Sequence, residues 1–381
     1  MVWLWREDLA MPKRSSFMLK ELLAEAQQLG VYDVGETVMR LARRLGKKPS
    51  EIVKLNSNEN FFVPLDLLRE ALKEIAAEAD PRVYPRDEPK ELKESLSRIL
   101  AVSPDQIVIG TGSDQLIDLV SRMMLRPGDE ALSIFPTFSI YERCARIQGA
   151  TYKPIPLKED FSLDVEKLLN AVTSRTRLIF LCSPNNPTAN QFSLQSIRFL
   201  AESFEGLVAV DEAYVDFAGD SLVSLVEDLE NLVVFRTFSK VFGLAGLRVG
   251  FAVANLEIAR VMDERYQMPY SVSLVGLLMA LKLLEKREEI KIAVENVKAE
   301  RNNLMRQLNS IEGVRVFDSQ TNFVLFQVDR SSEQVYRQLL DKGVIVRNIG
   351  RVLRYENCLR VTVTPSSMME KFLTALEEVL G

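Results

Sequence analysis

The sequence predicts an α/β protein in which a mostly parallel central sheet is flanked by helices and followed by a smaller α+β domain. From about residue 64, helical segments alternate with short apolar runs, as in parallel sheets covered on both faces. Beyond residue 310, strands and helices follow each other in a mixed order that favours an α+β unit. At 381 residues the chain exceeds the usual size of a single core, so we expect two domains.

Composition excludes several classes of partner. The formal net charge of -5 argues against a nucleic acid or an anionic membrane surface, because both require clustered positive charge. The three cysteines lie far apart, so they predict neither a disulfide framework nor a zinc site with the usual paired spacing. We therefore expect a cytoplasmic protein that binds small molecules and no metal.

The absence of histidine narrows the possible chemistry further. Ser-His-Asp and Cys-His catalysis, histidine-bound metals and imidazole acid–base chemistry are all excluded. An enzyme with this composition must move protons with lysine, tyrosine or a carboxylate, or use a cofactor.

Residues 1–30 are predicted to form an N-terminal arm, with helical spacing over residues 15–30. Residues 1–10 include two tryptophans but also three charged residues, so the segment lacks the uninterrupted apolar core of a signal peptide. No later apolar run approaches the roughly 20 residues that span a bilayer, so no membrane partner is expected. Met11 is an alternative start.

A polar cluster, Asn-Ser-Asn-Glu-Asn at residues 56–60, follows a predicted helix at 36–45 and a predicted strand at 52–55. Asn and Ser side chains bond to their own backbone in turns, which is one explanation of the cluster. The alternative is a loop that faces the substrate, with Asn58 as its candidate binding residue.

A glycine-rich turn at residues 110–114, Gly-Thr-Gly-Ser-Asp, connects a strand at 106–109 to a helix at 115–125. Such a turn forms an anion site, because free N–H groups and the helix dipole face a phosphate. The turn also resembles half of a dinucleotide fingerprint. However, Gln115 replaces the third glycine and no acidic residue ends the following strand, so we disfavour a dehydrogenase.

Two further strands end in residues that could contact a ligand. The strand at 130–135 leads to Phe138, and the strand at 178–182 leads to a proline-bracketed turn with Asn186 at its tip. Ligands of open α/β sheets collect at strand ends, although a phenylalanine there usually packs in the core.

The strand at 207–210 is followed by Asp-Glu-Ala-Tyr. By alternation, Asp211 shares its side of the sheet with Ala209, so an acid lies at the end of a buried strand. A buried carboxylate requires a partner. Tyr214 follows three residues later and is a second candidate.

Lys240 lies in the most informative stretch, residues 231–250, after an apolar strand at 232–235. Burial among the neighbouring apolar side chains disfavours the ammonium form and lowers the lysine pKa, which makes the amine a nucleophile able to form an imine with an aldehyde. Arg248 can bind a phosphate with its planar fork. The alternative is a lysine whose ammonium group extends to the surface from a strand end.

The C-terminal third is predicted to complete the second domain. A long charged helical region at 276–309 is more typical of a domain-connecting helix with one solvated face than of a partner-binding coil. The remaining predicted elements are helices at 65–77, 88–100, 332–342 and 366–380 and strands at 314–317, 322–328, 344–347 and 359–363.

Together these features describe one ligand, pyridoxal 5′-phosphate. Its aldehyde would take Lys240, and its phosphate would take the glycine turn and Arg248. Asp211 would keep the pyridine nitrogen protonated, so that the ring becomes an electron sink. No single motif is specific, but their joint order is.

The same motifs resemble the aspartate-aminotransferase-like superfamily of pyridoxal-phosphate enzymes (fold type I), and most closely its histidinol-phosphate aminotransferases, in the class II branch. The resemblance begins near residue 31 and rests on GTGSDQ, FPTF, SPNNPT, VDEAYVDF, TFSKVFGLAGLRVG and CLRVTV. Two turns depart from the family pattern: Ala189 stands in place of a glycine, and Thr364-Pro365-Ser366 follows the last strand.

The resemblance implies a role for each residue that meets the cofactor ring. Lys240 matches the Schiff-base lysine and Asp211 the partner of the pyridine nitrogen. Tyr214 and Asn186 match the donors to the 3′-oxygen, and Phe138 matches the stacking ring.

It also implies which residues bind the anionic groups. Arg360 matches the arginine that binds the substrate carboxylate or phosphate, and Arg347 a second anion-binding residue, although either could be a surface charge. Tyr84 is expected to reach the phosphate of the other subunit's cofactor, or it is an ordinary turn aromatic. The residues that match the phosphate cup are Gly112, Ser113, Asp114, Ser239 and Arg248.

The family further implies a homodimer with a large cofactor-binding domain (64–268) and a small domain (31–63 and 269–381). The implied reaction is reversible amino transfer between L-histidinol phosphate and 2-oxoglutarate in histidine biosynthesis. An aromatic aminotransferase and a threonine-phosphate decarboxylase are the enzymatic alternatives. A non-enzymatic regulator with this fold is the third, but the first residues are too few and too acidic for its DNA-binding module.

Overall fold

The computed structural model describes residues 15–27, 29 and 34–381. The expectations for residues 1–10, for Met11 and for most of the proposed arm lie outside the described residues, while the helical spacing near residue 15 corresponds to a helix at Ser15–Gln27. The chain divides into two compact units, Met1–Asp33 and Val34–Gly381. All site residues predicted from the sequence belong to the second unit.

The secondary structure of the described residues alternates as predicted. The helices are α1 (Ser15–Gln27), α2 (Val38–Leu45), α3 (Leu65–Glu78), α4 (Glu88–Leu100), α5 (Gly112–Met124), α6 (Ile140–Ile147), α7 (Val165–Asn170), α8 (Leu194–Glu202), α9 (Leu256–Val261), α10 (Leu274–Glu285), α11 (Arg287–Asn309), α12 (Ser332–Asp341) and α13 (Ser366–Leu380). The strands are β1 (Val53–Lys54), β2 (Ile107–Gly110), β3 (Glu130–Phe135), β4 (Thr151–Pro156), β5 (Thr176–Cys182), β6 (Leu207–Asp211), β7 (Leu232–Thr237), β8 (Gly250–Ala254), β9 (Val314–Val316), β10 (Phe323–Val328), β11 (Val344–Ile345), β12 (Arg347–Val352) and β13 (Tyr355–Thr362).

A seven-stranded sheet in the order β2-β8-β7-β6-β5-β3-β4 confirms the predicted α/β fold. All its strands run in the same direction except β8, which is antiparallel to both β2 and β7. The central strands are apolar and buried on both faces, as parallel sheets require. On β6, Val208 and Val210 pack into one core and Ala209 into the other, so the predicted alternation places Asp211 on the face of Ala209.

A separate antiparallel sheet, β12-β13-β10-β9, forms the predicted smaller α+β region with α11 and α13. Strand β1 pairs in parallel with β11 in a two-stranded sheet. The seven-stranded sheet lies within the predicted large domain (64–268), and the four-stranded sheet lies within the predicted small domain (31–63 and 269–381). This division into two domains remains a proposal. None of the described helices is both long and apolar enough to cross a membrane.

The prediction of one long helix at 276–309 was wrong. The chain forms α10 and α11, which are separated at Lys286, where φ is -96° and ψ is 33°. The charged residues around this break are good helix formers, so the sequence contains no local stop signal. Strand β4 was not predicted because Pro154 and Pro156 interrupt it, which is tolerated at the edge of the sheet.

Candidate active site

Five strands that point in one direction end at the same edge of the central sheet, and the loops after them carry most of the predicted site residues. β2 leads to Gly112, β3 to Phe138, β5 to Asn186 and β7 to Lys240, whereas β6 ends at Asp211 itself. This edge is where parallel α/β sheets collect their ligands.

Lys240 is half-buried, and its Nζ donates a hydrogen bond to the Ser57 carbonyl at 3.0 Å. The same nitrogen lies 5.8 Å from the centre of the Tyr214 ring. Burial first, and then the positive charge of Arg360, lower the pKa of Lys240 to about 8. Roughly one amine in ten is therefore neutral at pH 7, against about one in three thousand for an ordinary lysine. The side chain has the properties of a nucleophilic amine.

Asp211 is 3% exposed. The Tyr141 hydroxyl donates to its Oδ2 at 3.0 Å, and the Ala213 backbone N–H donates to its Oδ1 at 3.1 Å. Burial raises the pKa of Asp211 to about 7, although the hydrogen bonds and the charge of Lys240 act in the opposite direction. A cationic group beside the carboxylate would restore its ionisation, and a protonated pyridine nitrogen is such a group.

Tyr214 and Asn58 form a buried pair. The Asn58 side-chain amide donates to the Tyr214 hydroxyl oxygen at 2.9 Å, which leaves the phenol hydrogen for another acceptor. Burial raises the pKa of Tyr214, so the phenol stays protonated and can donate to a cofactor oxygen. The Asn58 side chain, expected to meet substrate, thus holds Tyr214 in this structure.

Arg360 is 8% exposed and lies against the Asn186 turn. Its Nη1 donates to the Asn186 side-chain oxygen at 2.6 Å, and its Nη2 donates to the Asn56 carbonyl at 2.7 Å. Because the Asn186 oxygen is used in this way, its NH₂ group remains for a hydrogen bond elsewhere. This arrangement fits a donor to the 3′-oxygen.

Helix α5 begins at Gly112, three residues earlier than predicted, and its N-cap side chain makes no capping hydrogen bond. The side chain of its N-cap residue, Thr111, does not cap the helix and instead donates to the Ser271 carbonyl. The first N–H groups of α5, including those of Ser113 and Asp114, are therefore not capped by this residue and can bind an anion.

Arg248 lies directly against this helix start. Its guanidinium contacts the Ser239 hydroxyl at 3.4 Å and the Asp114 carboxylate at 2.9 Å. Gly112 has a φ of +75°, and a Cβ there would lie 2.6 Å from Arg248 Nη2. Only a glycine allows this close approach.

These residues fit pyridoxal phosphate. The helix N-terminus beside Arg248 can hold a dianionic phosphate, and Lys240 can react with the aldehyde. Asp211 supplies a buried carboxylate that is short of positive charge and matches the ring nitrogen.

The sequence analysis missed Tyr141, which lies in α6. Its ring meets that of Phe138 edge to face at a centroid distance of 5.7 Å. The available signal was a tyrosine three residues after Phe138, but no helix had been predicted there. The carbonyls of Asn56 and Ser57 accept hydrogen bonds from Arg360 and Lys240. They could not be predicted from the sequence, because every residue type has a backbone carbonyl.

Two predicted residues remain, Tyr84 and Arg347. Tyr84 is 68% exposed and stacks on Tyr270 of the same chain at 4.5 Å, so the structure does not bring it to the site of its own subunit. Arg347 lies directly opposite Arg360 in the β12–β13 pair. Its Nη1 would be 3.1 Å from a Cβ at Gly35, so the segment before α2 lies against it.

The turn that departs from the family pattern explains why a glycine is typical there. Ala189 has a φ of +64°, a conformation that disfavours any side chain. Its methyl group is fully buried in an apolar cluster, which offsets part of that cost.

Comparison with known proteins agrees with this geometry. The family pattern of aminotransferase class I and II matches residues 50–376. Histidinol-phosphate aminotransferase from Thermoanaerobacter sp. (strain X514) is 36% identical over 86% of this chain and 93% of its own length. The enzyme of the same name from Methanosarcina mazei is 39% identical over 91% of this chain and 93% of its own length.

A solved structure gives the same result. Histidinol-phosphate aminotransferase from Sinorhizobium meliloti, in complex with pyridoxal-5′-phosphate, matches this chain with a TM-score of 0.84 and 26% identity, covering 93% of this chain and 96% of that one. The matched pattern spans most of the sequence and includes every residue of the cluster around Lys240. The chain therefore belongs to the family of class I and II aminotransferases.

Proposed function

We propose that this protein is a pyridoxal-phosphate-dependent aminotransferase that exchanges an amino group between L-histidinol phosphate and 2-oxoglutarate in histidine biosynthesis. The observation that carries the proposal is the half-buried amine of Lys240, whose pKa is lowered by burial and by the charge of Arg360 and whose own charge acts on the buried Asp211. The names of the relatives support the choice of substrates.

When bound, pyridoxal phosphate supplies a reactive aldehyde and a ring that withdraws electrons from the substrate α-carbon. Lys240 provides the amine that holds the aldehyde. As a free amine, Lys240 would act as a general base, because a pKa of about 8 leaves part of its Nζ neutral near pH 7 and able to accept and release the substrate α-proton.

Asp211, Tyr214 and Asn186 orient the ring. The ionised Asp211 favours the protonated ring nitrogen, and the phenol of Tyr214 and the amide of Asn186 donate toward the ring oxygen. Phe138 covers the ring, while the α5 N-terminus, Ser239 and Arg248 bind the phosphate group. These contacts leave the amine of Lys240 as the mobile group.

Arg360 and Arg347 read the substrate anions. Arg347 lies directly opposite Arg360 in the β12–β13 pair, so an anion bound beside Arg360 would lie near a second positive charge. A ping-pong aminotransferase must accept two anions in turn, here the carboxylates of glutamate and the phosphate monoester of histidinol phosphate. The guanidinium fork of Arg360 can grip either of them in a bidentate manner.

A homodimer follows from the same proposal. Tyr84 and Tyr270 form an exposed aromatic stack, flanked by Val83 and Met268, which are 61% and 65% exposed. In a dimer, Tyr84 would reach the phosphate of the partner's cofactor. We also propose a cytoplasmic location, because Cys144, Cys182 and Cys358 are buried free thiols.

A panel of substrates tests the proposed specificity. Histidinol phosphate, threonine phosphate, phenylalanine, tyrosine and aspartate would be compared by kcat/KM with 2-oxoglutarate as acceptor. We expect histidinol phosphate to be the best substrate. Equal or better turnover of phenylalanine or aspartate would contradict the phosphate-reading role of the arginines, and release of carbon dioxide from threonine phosphate would indicate a decarboxylase.

A further inference from the structure

Tyr141 is completely buried, and its hydroxyl donates to Asp211. We propose that Tyr141 is a positioning residue for the cofactor ring. Tyr141 holds Asp211 in its ionised form and supports Phe138 at the same time. The proposal rests on the function proposed above, because Asp211 and Phe138 are the residues assigned there to the ring nitrogen and the ring face.

Two aromatic contacts fix the plane of the Tyr141 ring. It stacks on Phe180 of β5 with a centroid distance of 5.0 Å and an interplanar angle of 10°. It also meets Phe138 edge to face, at an angle of 86°. With the ring held on both sides, the hydroxyl is held in place to reach Oδ2 of Asp211.

The phenol keeps its proton and acts as a donor to Asp211 in this position. Burial and the nearby charge of Asp211 raise the pKa of Tyr141 well above its usual value, so the hydroxyl remains protonated. The bond therefore consists of a neutral O–H donating to a carboxylate oxygen, and such a bond favours the ionised acid.

Few other groups can stabilise a charge on Asp211. Asp114 on α5 repels it, Lys240 after β7 attracts it, and Cys182 on β5 and Tyr214 are neutral groups nearby. Apart from the attraction of Lys240, the ionised form depends on the hydroxyl of Tyr141 and the backbone N–H of Ala213. Removing the hydroxyl removes one of two direct donors.

Tyr141→Phe isolates this contribution, because phenylalanine keeps the ring and both aromatic contacts. In apoenzyme labelled with ¹³C at the aspartate carboxyls, Asp211 would be identified by its loss in Asp211→Asn. We expect Tyr141→Phe to move its titration midpoint upward by about one pH unit or more. The matched control is Tyr152→Phe on β4, which removes a half-buried hydroxyl and should leave the Asp211 midpoint unchanged. An unchanged midpoint in Tyr141→Phe would overturn the proposal.

Cofactor affinity provides a second readout. We expect Tyr141→Phe to raise the Kd for pyridoxal phosphate about tenfold in the otherwise natural chain. In the Asp211→Asn background the same substitution should raise the Kd less than about twofold. An equal loss in both backgrounds would indicate a purely structural role and refute the proposal. If the natural chain bound no pyridoxal phosphate, the proposed function would fail, while the carboxyl titration would still decide the role of Tyr141.

A measurement on the natural chain covers the case in which Tyr141→Phe does not fold. With ¹³C at the tyrosine ζ carbons, nine resonances are expected. One resonance that is still present in Tyr214→Phe should titrate with the midpoint of Asp211 and stop doing so in Asp211→Asn. If no tyrosine resonance followed Asp211, the proposed coupling would be wrong.

Discussion

Lys240 is the residue on which the proposed chemistry depends most directly. Borohydride reduction of the protein with bound pyridoxal phosphate should attach the cofactor irreversibly to the peptide that contains Lys240, because its pKa of about 8 makes it a reactive amine. Peptide mass spectrometry provides the readout. Lys240→Ala should abolish turnover, whereas Lys298→Ala on the surface of α11 should not. Labelling of a different lysine would contradict the assignment.

A substitution at Arg360 tests whether this residue binds the substrate anions. Arg360→Lys keeps the charge but loses the planar fork, so the KM values for both substrates should rise by an amount that corresponds to roughly 1.5–3 kcal/mol for a charged hydrogen bond. Arg315→Lys on β9, an exposed arginine that packs over the Tyr355 ring, is the control. Unchanged KM values for both substrates would remove Arg360 from the substrate site.

Most individual site residues could be predicted because their types are unusual at strand ends. A carboxylate after four buried apolar residues, as at Asp211, is visible in a sequence. Tyr141 was missed because no helix had been predicted there and a tyrosine after Phe138 is typical of core packing; only its hydrogen bond to Asp211 shows otherwise. Asn58 was assigned to substrate, but its contact with Tyr214 required the folded geometry.

The start of helix α5 is the element that should bind the cofactor phosphate. Gly112→Ala would place a methyl group 2.6 Å from Arg248 Nη2, so we expect a loss of pyridoxal-phosphate affinity of tenfold or more, measured as Kd. Gly128→Ala is a matched control, since Gly128 also has a positive φ, but a methyl group there would extend into open space with no neighbouring group within 4 Å. Equal affinities of the two variants would contradict a phosphate site at α5.

Strand β3 begins with Glu130, a buried acid that contacts β4 and the segment before β5. It contacts Lys153 of β4 at 2.7 Å and Arg175 at 2.9 Å. Burial alone would raise its pKa, but the hydrogen bonds from Lys153, Thr173 and Arg175 outweigh it and lower the pKa to about 2. The ionised form is therefore favoured by folding, by an amount on the order of 3 kcal/mol.

This shift predicts a pH dependence of stability. Because the pKa of Glu130 is lower in the folded state, its contribution is fully present above about pH 4.5 and is lost as the pH falls toward 2. Glu130→Gln should lower the thermal unfolding midpoint at pH 7, and the difference from the natural chain should shrink below pH 4.5. Glu142→Gln, which removes an exposed ion pair with Arg146, should change the unfolding midpoint little both at pH 7 and below pH 4.5. A difference in unfolding midpoint between Glu130→Gln and the natural chain that stayed constant with pH would argue against the assigned role of Glu130.

At the level of elements, apolar strands and regularly spaced helices could be predicted and irregular ones could not. β3 and α4 match their predicted bounds because buried runs and helical spacing have clear ends. The break between α10 and α11 has no sequence signal, because the charged residues around Lys286 favour a continuous helix.

For the whole molecule, the proposed dimer makes a test of shared sites possible. Mixing inactive Lys240→Ala subunits with inactive Tyr84→Ala subunits should restore part of the activity, because one site of each hybrid has both residues intact. Mixing either variant with Lys298→Ala controls for exchange of subunits. No recovery after demonstrated exchange, or a monomer by sedimentation, would contradict a site that uses Tyr84 of the partner subunit.

The arrangement of strands and helices could be predicted from the sequence, whereas the register between individual strands could not. Alternating helices and strands indicate a parallel sheet, and parallel strands bring their ends together, which is why distant motifs such as Gly112 and Lys240 could be assigned to one site. The pairing of Arg347 with Arg360 required the register of β12 and β13, which no single strand encodes.

The half-reaction with histidinol phosphate tests the central claim most directly. Histidinol phosphate would be added to the purified protein with bound pyridoxal phosphate in the absence of an acceptor, and the absorption spectrum would be followed. Amino transfer predicts that the pyridoxal band disappears in favour of the pyridoxamine form, and that 2-oxoglutarate then restores it. A spectrum that does not change with histidinol phosphate, or that 2-oxoglutarate does not restore, would contradict the proposed function.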